Sequence, residues 1–256
     1  MHSFTFLGTG TSLGVPVIGC TCSVCTSSNA RDKRLRAAGL VKLNDKNYII
    51  DAGPDFRQQL LRAQVTNVEA ILITHEHSDH TAGLDDVRPL NFINKNETPL
   101  YATQKVEADI RRRFAYAFDE NPYPGAPQIS FVRIAKENSF YLNGTTVTPI
   151  EVSHGLDMKV LGFRFHDFTY ITDCKTIAPE ELEKVRGTRF LVLNALHYNP
   201  HHSHLNIPEA IELAQKIGAE KTFFTHINHR LGKHEDVQKT LPPRIFLAYD
   251  GLTIDF

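Results

Sequence analysis

The chain has 256 residues, 41% of them hydrophobic, and a formal net charge of -1. This is enough to bury a large core, and the near-neutral charge lacks the basic excess expected of a partner for a large nucleic acid. There is no composition break, low-complexity tract or Gly/Ser linker, so we predict one domain over residues 1–256.

No apolar run approaches membrane-spanning length, and residues 1–8 are typical of a first strand rather than a signal peptide. We therefore expect a cytoplasmic protein with no membrane partner. The sequence does not determine the oligomeric state and is compatible with a homodimer.

Strand-like and helix-like segments alternate along the chain. The predicted strands are 4–7, 47–51, 70–74, 99–102, 129–134, 146–152, 162–165, 169–172, 190–194, 222–225, 245–249 and 252–254. The predicted helices are 55–63, 83–92, 106–118, 180–185, 208–217 and 237–241. This order, in two similar halves, predicts an α/β fold of two packed sheets with helices outside.

The segment after the apolar run 70–74 is unusually rich in metal ligands: His75, His77, Asp79 and His80. The run predicts a buried strand, which places these side chains on the loop at its end. Imidazole nitrogens and carboxylate oxygens suit zinc, manganese or iron. His75 and His77 share a direction because of their spacing, while the other two can reach a neighbouring ion. A surface histidine tract would not be expected to follow a buried strand in this way.

Three more candidate ligands, His154, Asp173 and His226, each follow a predicted strand. One such residue alone is more often structural than functional. Several strand ends that present His or Asp at the same edge of a sheet instead favour a shared metal centre.

This ordered set resembles the metal-binding motifs of the metallo-β-lactamase superfamily of binuclear metallohydrolases. The resemblance implies a four-layer αββα sandwich with two mixed sheets, and two divalent ions, either zinc or manganese. It assigns His75, His77 and His154 to the first ion, Asp79, His80 and His226 to the second, and Asp173 to both.

Cys20, Cys22 and Cys25 form a cluster that follows the segment 8–16, which begins with a Gly-rich turn at residues 8–12. A disulfide framework would be spread through a smaller chain. The cluster is similar to that of PhnP-like cyclic phosphodiesterases, in which three cysteines and a histidine near the C-terminus bind a structural zinc. The resemblance implies that His229 is the fourth ligand. Cys174 is predicted to be a small core residue.

Phosphodiesterase members of the superfamily use a further histidine as general acid, and the candidates are His197, His201, His202 and His204. His204 fits best because a predicted helix opens directly after it, and His202 is the alternative. His204, Asp79 and Asp173 are thus the predicted catalytic residues.

Three other predictions concern the surroundings of the site. Asp51 is expected to orient a ligand imidazole. Arg88 is expected to pair with a nearby acid rather than a phosphate. The run 111–113 is interpreted as a solvated helix face, or as part of an insert that covers the site.

The predicted function is hydrolysis of small, preferably cyclic, phosphodiesters of sugars or nucleotides by a binuclear metalloenzyme. A tRNA 3′-processing ribonuclease is the nearest alternative, but such enzymes carry an RNA-gripping arm, and the segment between His154 and Asp173 is too short for one. A carboxylic ester, thioester or lactone hydrolase is the next alternative. A non-catalytic metal-binding scaffold is disfavoured by the complete ligand set.

Overall fold

The computed structural model describes residues 2–256. Its strands are β1 (His2–Gly8), β2 (Ala38–Leu43), β3 (Lys46–Ile50), β4 (Ala70–Leu72), β5 (Thr98–Ala102), β6 (Ile129–Arg133), β7 (Phe140–Leu142), β8 (Thr145–His154), β9 (Met158–Phe165), β10 (Phe168–Tyr170), β11 (Thr176–Ile177), β12 (Phe190–Asn194), β13 (Lys221–Thr225), β14 (Ile245–Leu247) and β15 (Thr253–Asp255). Its α-helices are α1 (Phe56–Arg62), α2 (Ser78–Thr81), α3 (Arg88–Asn94), α4 (Gln104–Arg113), α5 (Pro179–Val185), α6 (Ile207–Ile217) and α7 (His234–Gln238).

The strands form two mixed sheets. The first has the order β15-β1-β2-β3-β4-β5-β6, and the second has the order β11-β8-β9-β10-β12-β13-β14, with β7 paired to β8. Strands β3 to β6 run parallel to one another in the first sheet. Strands β10, β12, β13 and β14 do so in the second.

Alternate residues of the central strands enter different hydrophobic layers. In β3, Ile50 packs between the sheets while Ile49 faces the outer helices, and in β12 Val192 packs between the sheets while Leu193 faces the helices of its own side. Because both faces of these strands are buried, their sequences are continuous apolar runs. Helices α1, α3 and α4 cover the first sheet, and α5, α6 and α7 cover the second. The predicted αββα sandwich is therefore confirmed.

The strand directions bring the predicted ligands to one edge. Loops follow the carboxyl ends of β4, β10 and β13, which lie at the same edge within their parallel sets. Strand β8 runs in the direction of β10 because both are antiparallel to β9, so His154 at its end reaches that edge as well. Ligands distant in sequence thus become neighbours in space.

Three strands, β2, β7 and the two-residue β11, were not predicted from the sequence, and one helix end differs from its prediction. The sequence analysis missed β2, where Gly39 interrupts the apolar pattern; a Cβ there would lie 2.3 Å from the Phe4 ring, so packing requires the glycine. It also missed the short hairpin strand β7. The helix predicted over 106–118 ends at Arg113, and a short 3-10 helix follows at Ala115–Ala117.

The position of two candidate ligands is also corrected. Asp79 and His80 lie on the four-residue helix α2 rather than on an open loop. The Thr81 hydroxyl donates to the His77 carbonyl at 2.8 Å, which holds this helix against the preceding histidines. Within residues 2–256, no helix is long and apolar enough to cross a membrane.

Candidate active site

The predicted ligands converge at the common edge of the two sheets. The side chains form four overlapping groups. Within each group, the atoms that could bind a metal ion lie within 4.8 Å of one another. The groups are His75, His77 and His154; Asp79, His80 and His226; His75, His80 and Asp173; and His154, Asp173 and His204. Every ligand that the resemblance assigns to the two catalytic ions, together with the preferred acid, therefore lies in one cluster.

The first group presents imidazole nitrogens at the spacing of a metal site. His75 Nε2 lies 3.0 Å from His77 Nδ1, and two nitrogens on one tetrahedral zinc would be about 3.3 Å apart. His154 Nδ1 donates to the Ser203 carbonyl at 2.9 Å, which leaves Nε2 free as a ligand atom. The Thr74 hydroxyl contacts His75 Nδ1 at 2.9 Å and fixes that ring as well.

In the second group, carboxylate oxygens face imidazole nitrogens. His80 Nε2 lies 3.3 Å from Asp79 Oδ2 and 3.4 Å from Asp173 Oδ2. His226 Nε2 lies 3.2 Å from the other oxygen, Asp173 Oδ1. Asp173 also forms a group with His75, which the resemblance assigns to the first ion, so this carboxylate lies between the two proposed sites.

Asp51 orients one of these rings, as predicted. Its Oδ2 accepts a hydrogen bond from His80 Nδ1 at 2.7 Å, and both groups are fully buried. Its Oδ1 accepts from the Thr74 backbone N–H at 2.9 Å. With its Nδ1 engaged, His80 can offer only Nε2 to the cluster, which selects the tautomer of a ligand.

Several buried nitrogen atoms of the cluster have no hydrogen-bond partner among the described residues. They include His80 Nε2, His226 Nε2 and His204 Nδ1. Leaving a buried polar atom unpaired costs about 1–3 kcal/mol. Divalent cations held between these imidazoles and carboxylates would satisfy them, so the residues fit the metal centre that the resemblance implies.

The protonation states also suit a cation site. Burial, reinforced by the charge on His80, lowers the pKa of His75 well below its usual value and keeps that ring neutral. Burial alone would raise the pKa of Asp173, but His226 and His80 hold it well below its usual range. Burial opposes a charge on His80, yet Asp51 and Asp173 raise its pKa well above the usual value. Ion binding would therefore release the Nε2 proton of His80.

Three residues of the cluster region adopt a left-handed backbone conformation. The φ angles of Asp51, Asp173 and His226 are 65°, 54° and 57°. Residues other than glycine rarely adopt this conformation, and such strain is concentrated at functional sites. Asp51 and His226 directly follow β3 and β13, and Asp173 comes three residues after the last residue of β10. At each position the turn directs the side chain into the cluster.

The structure separates the two candidate acids. The His204 ring centroid lies 4.6 Å from that of His154 and 4.7 Å from that of His226, and its side chain is buried. His202 is exposed and contributes no donor atom to the clustered groups. The geometry therefore favours His204.

The cysteine cluster forms a second, separate group with His229. The Cys20, Cys22 and Cys25 sulfurs lie 3.3, 3.5 and 3.4 Å from His229 Nδ1. Sulfur and nitrogen bound to one tetrahedral zinc are about 3.5 Å apart. A backbone N–H bond from Cys25, followed by contact with His229, lowers the pKa of the Cys22 thiol to about 6. The arrangement thus fits a closed zinc site.

The remaining predictions around the site are settled by individual contacts. Arg88 pairs with Asp85 at 2.5 Å. Cys174 is fully buried in the core. The run 111–113 is not only a solvated face, because Arg113 Nη2 donates to the Glu76 carbonyl at 2.9 Å and to the Thr81 hydroxyl at 2.7 Å.

One supporting residue, Asn194, was not predicted from the sequence. Asn194, the last residue of β12, accepts from the Cys174 N–H at 2.7 Å and donates to the Cys174 carbonyl at 3.0 Å. These bonds hold the turn that carries Asp173. The sequence feature that could have indicated this role is a polar residue at the end of the apolar strand β12.

The chain is similar to known proteins over its whole length. The model of the "Beta-lactamase superfamily domain" matches residues 46–227. A crystal structure described as a new diphosphatase from the PhnP family is 39% identical, has a TM-score of 0.93 and is matched over 98% of its length by 100% of this chain. The zinc-bound PqqB of Methylobacterium extorquens, at 20% identity and a TM-score of 0.81, covers 100% of both chains and shares the fold.

One relative is a much longer protein. An octanoyltransferase of Porphyromonas gingivalis is 40% identical over 248 residues, which is 96% of this chain and 50% of that protein. The chain thus spans half the length of this relative, and the name of the longer protein assigns no activity to the matched half.

Proposed function

Because the chain belongs to the β-lactamase superfamily and, within it, to the PhnP family, we propose that it is a binuclear metal-dependent phosphodiesterase. Its preferred substrates are small phosphodiesters, in particular cyclic phosphates of sugars or nucleotides. Residues His75, His77 and His154 would hold one divalent ion, Asp79, His80 and His226 a second, and Asp173 both. The ions are zinc or manganese.

The observation that carries this proposal is the position of Asp173, which is buried between the two proposed ligand sets: its oxygens face His80 and His226 of the second set, and it also forms a group with His75 of the first. When bound, such ions lower the pKa of water and neutralise the charge of a phosphoryl group. The protein residues set the spacing of the ligands and exclude bulk water from the buried side of the centre.

His204 is placed to donate a proton to the leaving oxygen. Burial, with the charge of His226, lowers the pKa of His204 to about 2. Asp173 Oδ1, at 3.7 Å from His204 Nδ1, acts in the opposite direction. An anionic phosphodiester adds a further negative charge beside the ring, which also favours the protonated form of His204.

The proposal is tested by parallel assays of the metal-loaded protein. We expect hydrolysis of bis(p-nitrophenyl) phosphate and of cyclic nucleotides, and little turnover of p-nitrophenyl carboxylic esters, thioesters or lactones. Turnover of the carboxylic substrates alone would contradict the proposed function. Retention of both ions with no hydrolytic activity would favour the scaffold alternative.

The leaving group tests the role of His204. A general acid contributes about 10²–10⁴-fold to rate, and most to a poor leaving group. We expect His204→Ala to slow hydrolysis of an alkyl phosphodiester by about 100-fold or more and that of an aryl phosphodiester by about 10-fold or less, measured as kcat. If His204→Ala slowed the hydrolysis of both substrates by the same factor, or slowed neither, another group would be the acid.

A second candidate substrate class is the phosphoric anhydride. The 39% identical PhnP-family relative is described as a diphosphatase, and the same residues could act on a P–O–P linkage. A substituted diphosphate such as ADP-ribose, assayed beside a cyclic nucleotide, separates the two classes. A tRNA substrate is disfavoured because the segment between His154 and Asp173 contains only β9 and β10, with no arm.

We also propose that Cys20, Cys22, Cys25 and His229 hold a structural zinc. Three sulfurs and one nitrogen leave no open position for water, so this ion would not take part in hydrolysis. Its ligands join the N-terminal loop to the residues just after His226.

A further inference from the structure

The loop between β12 and α6 carries four histidines, of which the proposed reaction uses only His204. The loop is closed at its base by two backbone hydrogen bonds. The Leu196 N–H donates to the Leu205 carbonyl at 3.0 Å, and the Ile207 N–H donates to the His197 carbonyl at 2.9 Å. The tip of the loop, residues 198–204, is held by side-chain contacts, among them Tyr198 Oη with Thr240 Oγ1 at 3.3 Å.

Ser203 connects this tip to the candidate metal centre. Its carbonyl accepts the hydrogen bond from His154 Nδ1 at 2.9 Å, the contact that turns Nε2 of that ring toward the cluster. Ser203 is buried, and a Cβ added to Gly155 would lie 3.5 Å from the Ser203 Cβ. The position of the Ser203 peptide thus sets the direction of a ligand imidazole.

His201 holds the other side of Ser203. The Ser203 N–H donates to His201 Nδ1 at 3.3 Å, and the Ser203 hydroxyl lies 3.3 Å from the same nitrogen. Within residues 2–256, His201 is the only acceptor found for that N–H. Because a backbone N–H can only donate, His201 Nδ1 must be unprotonated, and the neutral ring carries its proton on Nε2.

This contact has the form of an Asx turn, in which a side-chain acceptor binds the backbone N–H two residues later. The His201 ring centroid also lies 5.1 Å from that of His204. One side chain therefore contacts both the residue that orients His154 and the candidate acid.

We propose that His201 is a positioning residue: by accepting the Ser203 N–H, it fixes the turn that sets the orientation of His154 and the place of His204. The inference rests on the proposed function, since it assigns His154 to a metal ion. His201 itself contributes no donor atom to the clustered groups.

The test compares His201→Ala with His201→Asn. Asparagine keeps an acceptor at the position of Nδ1 and is the usual residue of an Asx turn, but it has no imidazole to exchange protons. His202→Ala is a matched control, because this exposed neighbour lies against the His201 ring, with centroids 4.4 Å apart, but has no hydrogen bond to Ser203 among the described residues. Zn²⁺ affinity is measured by competition with a chromogenic chelator, and kcat is measured on bis(p-nitrophenyl) phosphate over a range of pH.

Loss of a group that orients a metal ligand typically weakens metal affinity or activity by about 10–100-fold. We expect His201→Ala to weaken the binding of one Zn²⁺ by about 10-fold or more, His201→Asn to return to within about 3-fold of wild type with an unchanged pH profile, and His202→Ala to match wild type.

Two outcomes would overturn the proposal. Wild-type Zn²⁺ affinity in His201→Ala would show that the turn does not depend on this residue. An equal defect in His201→Asn would show that the ring is required, as for a proton relay. The metal measurement needs no substrate. A wild type that binds its ions but hydrolyses no phosphodiester would therefore contradict the proposed function alone.

Discussion

At the residue scale, the candidate centre depends on fixed imidazole tautomers. Asp51 accepts from His80 Nδ1, the Ser203 carbonyl accepts from His154 Nδ1, and Thr74 contacts His75 Nδ1. In each case the second ring nitrogen faces the cluster. The supporting residue determines which atom is offered, so we expect its loss to weaken metal binding without removing a ligand.

Asp51→Asn tests this dependence. The side chain keeps its size, but the charge that holds the Nδ1 proton of His80 is lost. We expect metal affinity or kcat to fall by about 10–100-fold, measured by chelator competition and by phosphodiester hydrolysis. Unchanged values of both would show that His80 is oriented without Asp51.

A pH-dependent contribution to stability is expected from His234, which belongs to none of the proposed metal-binding groups. Arg34 Nη2 donates to His234 Nδ1 at 3.1 Å, and both residues are buried. Burial, with the charges of Arg34 and Arg31, lowers the pKa of His234 to about 4. An unfolded histidine has a pKa of about 6.5, so between these values the unfolded chain binds more protons and stability falls as the pH falls.

The expected loss from this residue between pH 7 and pH 5 is about 2 kcal/mol. His234→Asn keeps an acceptor for Arg34 but cannot titrate. Between pH 7 and pH 5, the free energy of unfolding from urea titrations should therefore fall by about 2 kcal/mol less in the variant than in the wild type. Parallel pH dependence in the two proteins would exclude His234 as the source.

At the element scale, the end of β3 packs closely against helix α2. A Cβ on Gly53 would lie 2.0 Å from the Asp79 carbonyl oxygen. The Ala52 N–H donates to the His80 carbonyl at 2.8 Å, and the Gly83 N–H donates to the Ala52 carbonyl at 2.8 Å. Backbone contacts therefore place the helix that carries Asp79 and His80.

Gly53→Ala should displace α2, because the clash involves backbone and cannot be relieved by a side-chain rotation. We expect the free energy of unfolding to fall by about 1–3 kcal/mol and metal affinity to fall with it. Gly125→Ala is a suitable control, since its Cβ would meet only the half-exposed Tyr123 ring. Wild-type stability and metal content in Gly53→Ala would contradict this account.

At the scale of the whole molecule, the proposed zinc site joins distant parts of the chain. Cys20, Cys22 and Cys25 precede most of the first sheet, and His229 follows β13 of the second. Gly10 forms an isolated bridge with Ile227, next to His226. An ion bound here would restrain the N-terminal loop beside the active site.

Cys22→Ser should remove this restraint. We expect one zinc fewer per chain by atomic absorption and faster proteolysis within residues 12–29. The free energy of unfolding should fall by about 2–4 kcal/mol, the scale of a cross-link that closes a long loop. Cys174→Ser controls for the loss of a thiol outside the cluster and should retain the zinc. Full zinc content in Cys22→Ser would argue against the site.

The sequence predicted much of this molecule because strong local patterns coincide with the functional elements. Strand β4 was visible as an apolar run, and the ligands after it were visible as residue types that bind metals. Strand β2 was not predicted, since Gly39 meets the Phe4 ring only after the chain has folded. The assignment of each candidate ligand to the first or the second ion came from the family resemblance.

By itself, the sequence determined the alternation of strands and helices, the candidate ligands at the strand ends and the cysteine cluster, because each depends on residues close together in the chain. Only the tertiary structure decided that Asp79 and His80 lie on a short helix, that His204 rather than His202 lies in the cluster, and that Ser203 orients His154. The last two relations join residues far apart in sequence, and the short helix is placed by backbone contacts with Ala52 and Gly53. Local patterns do not contain them, because strand order and sheet packing bring the residues together.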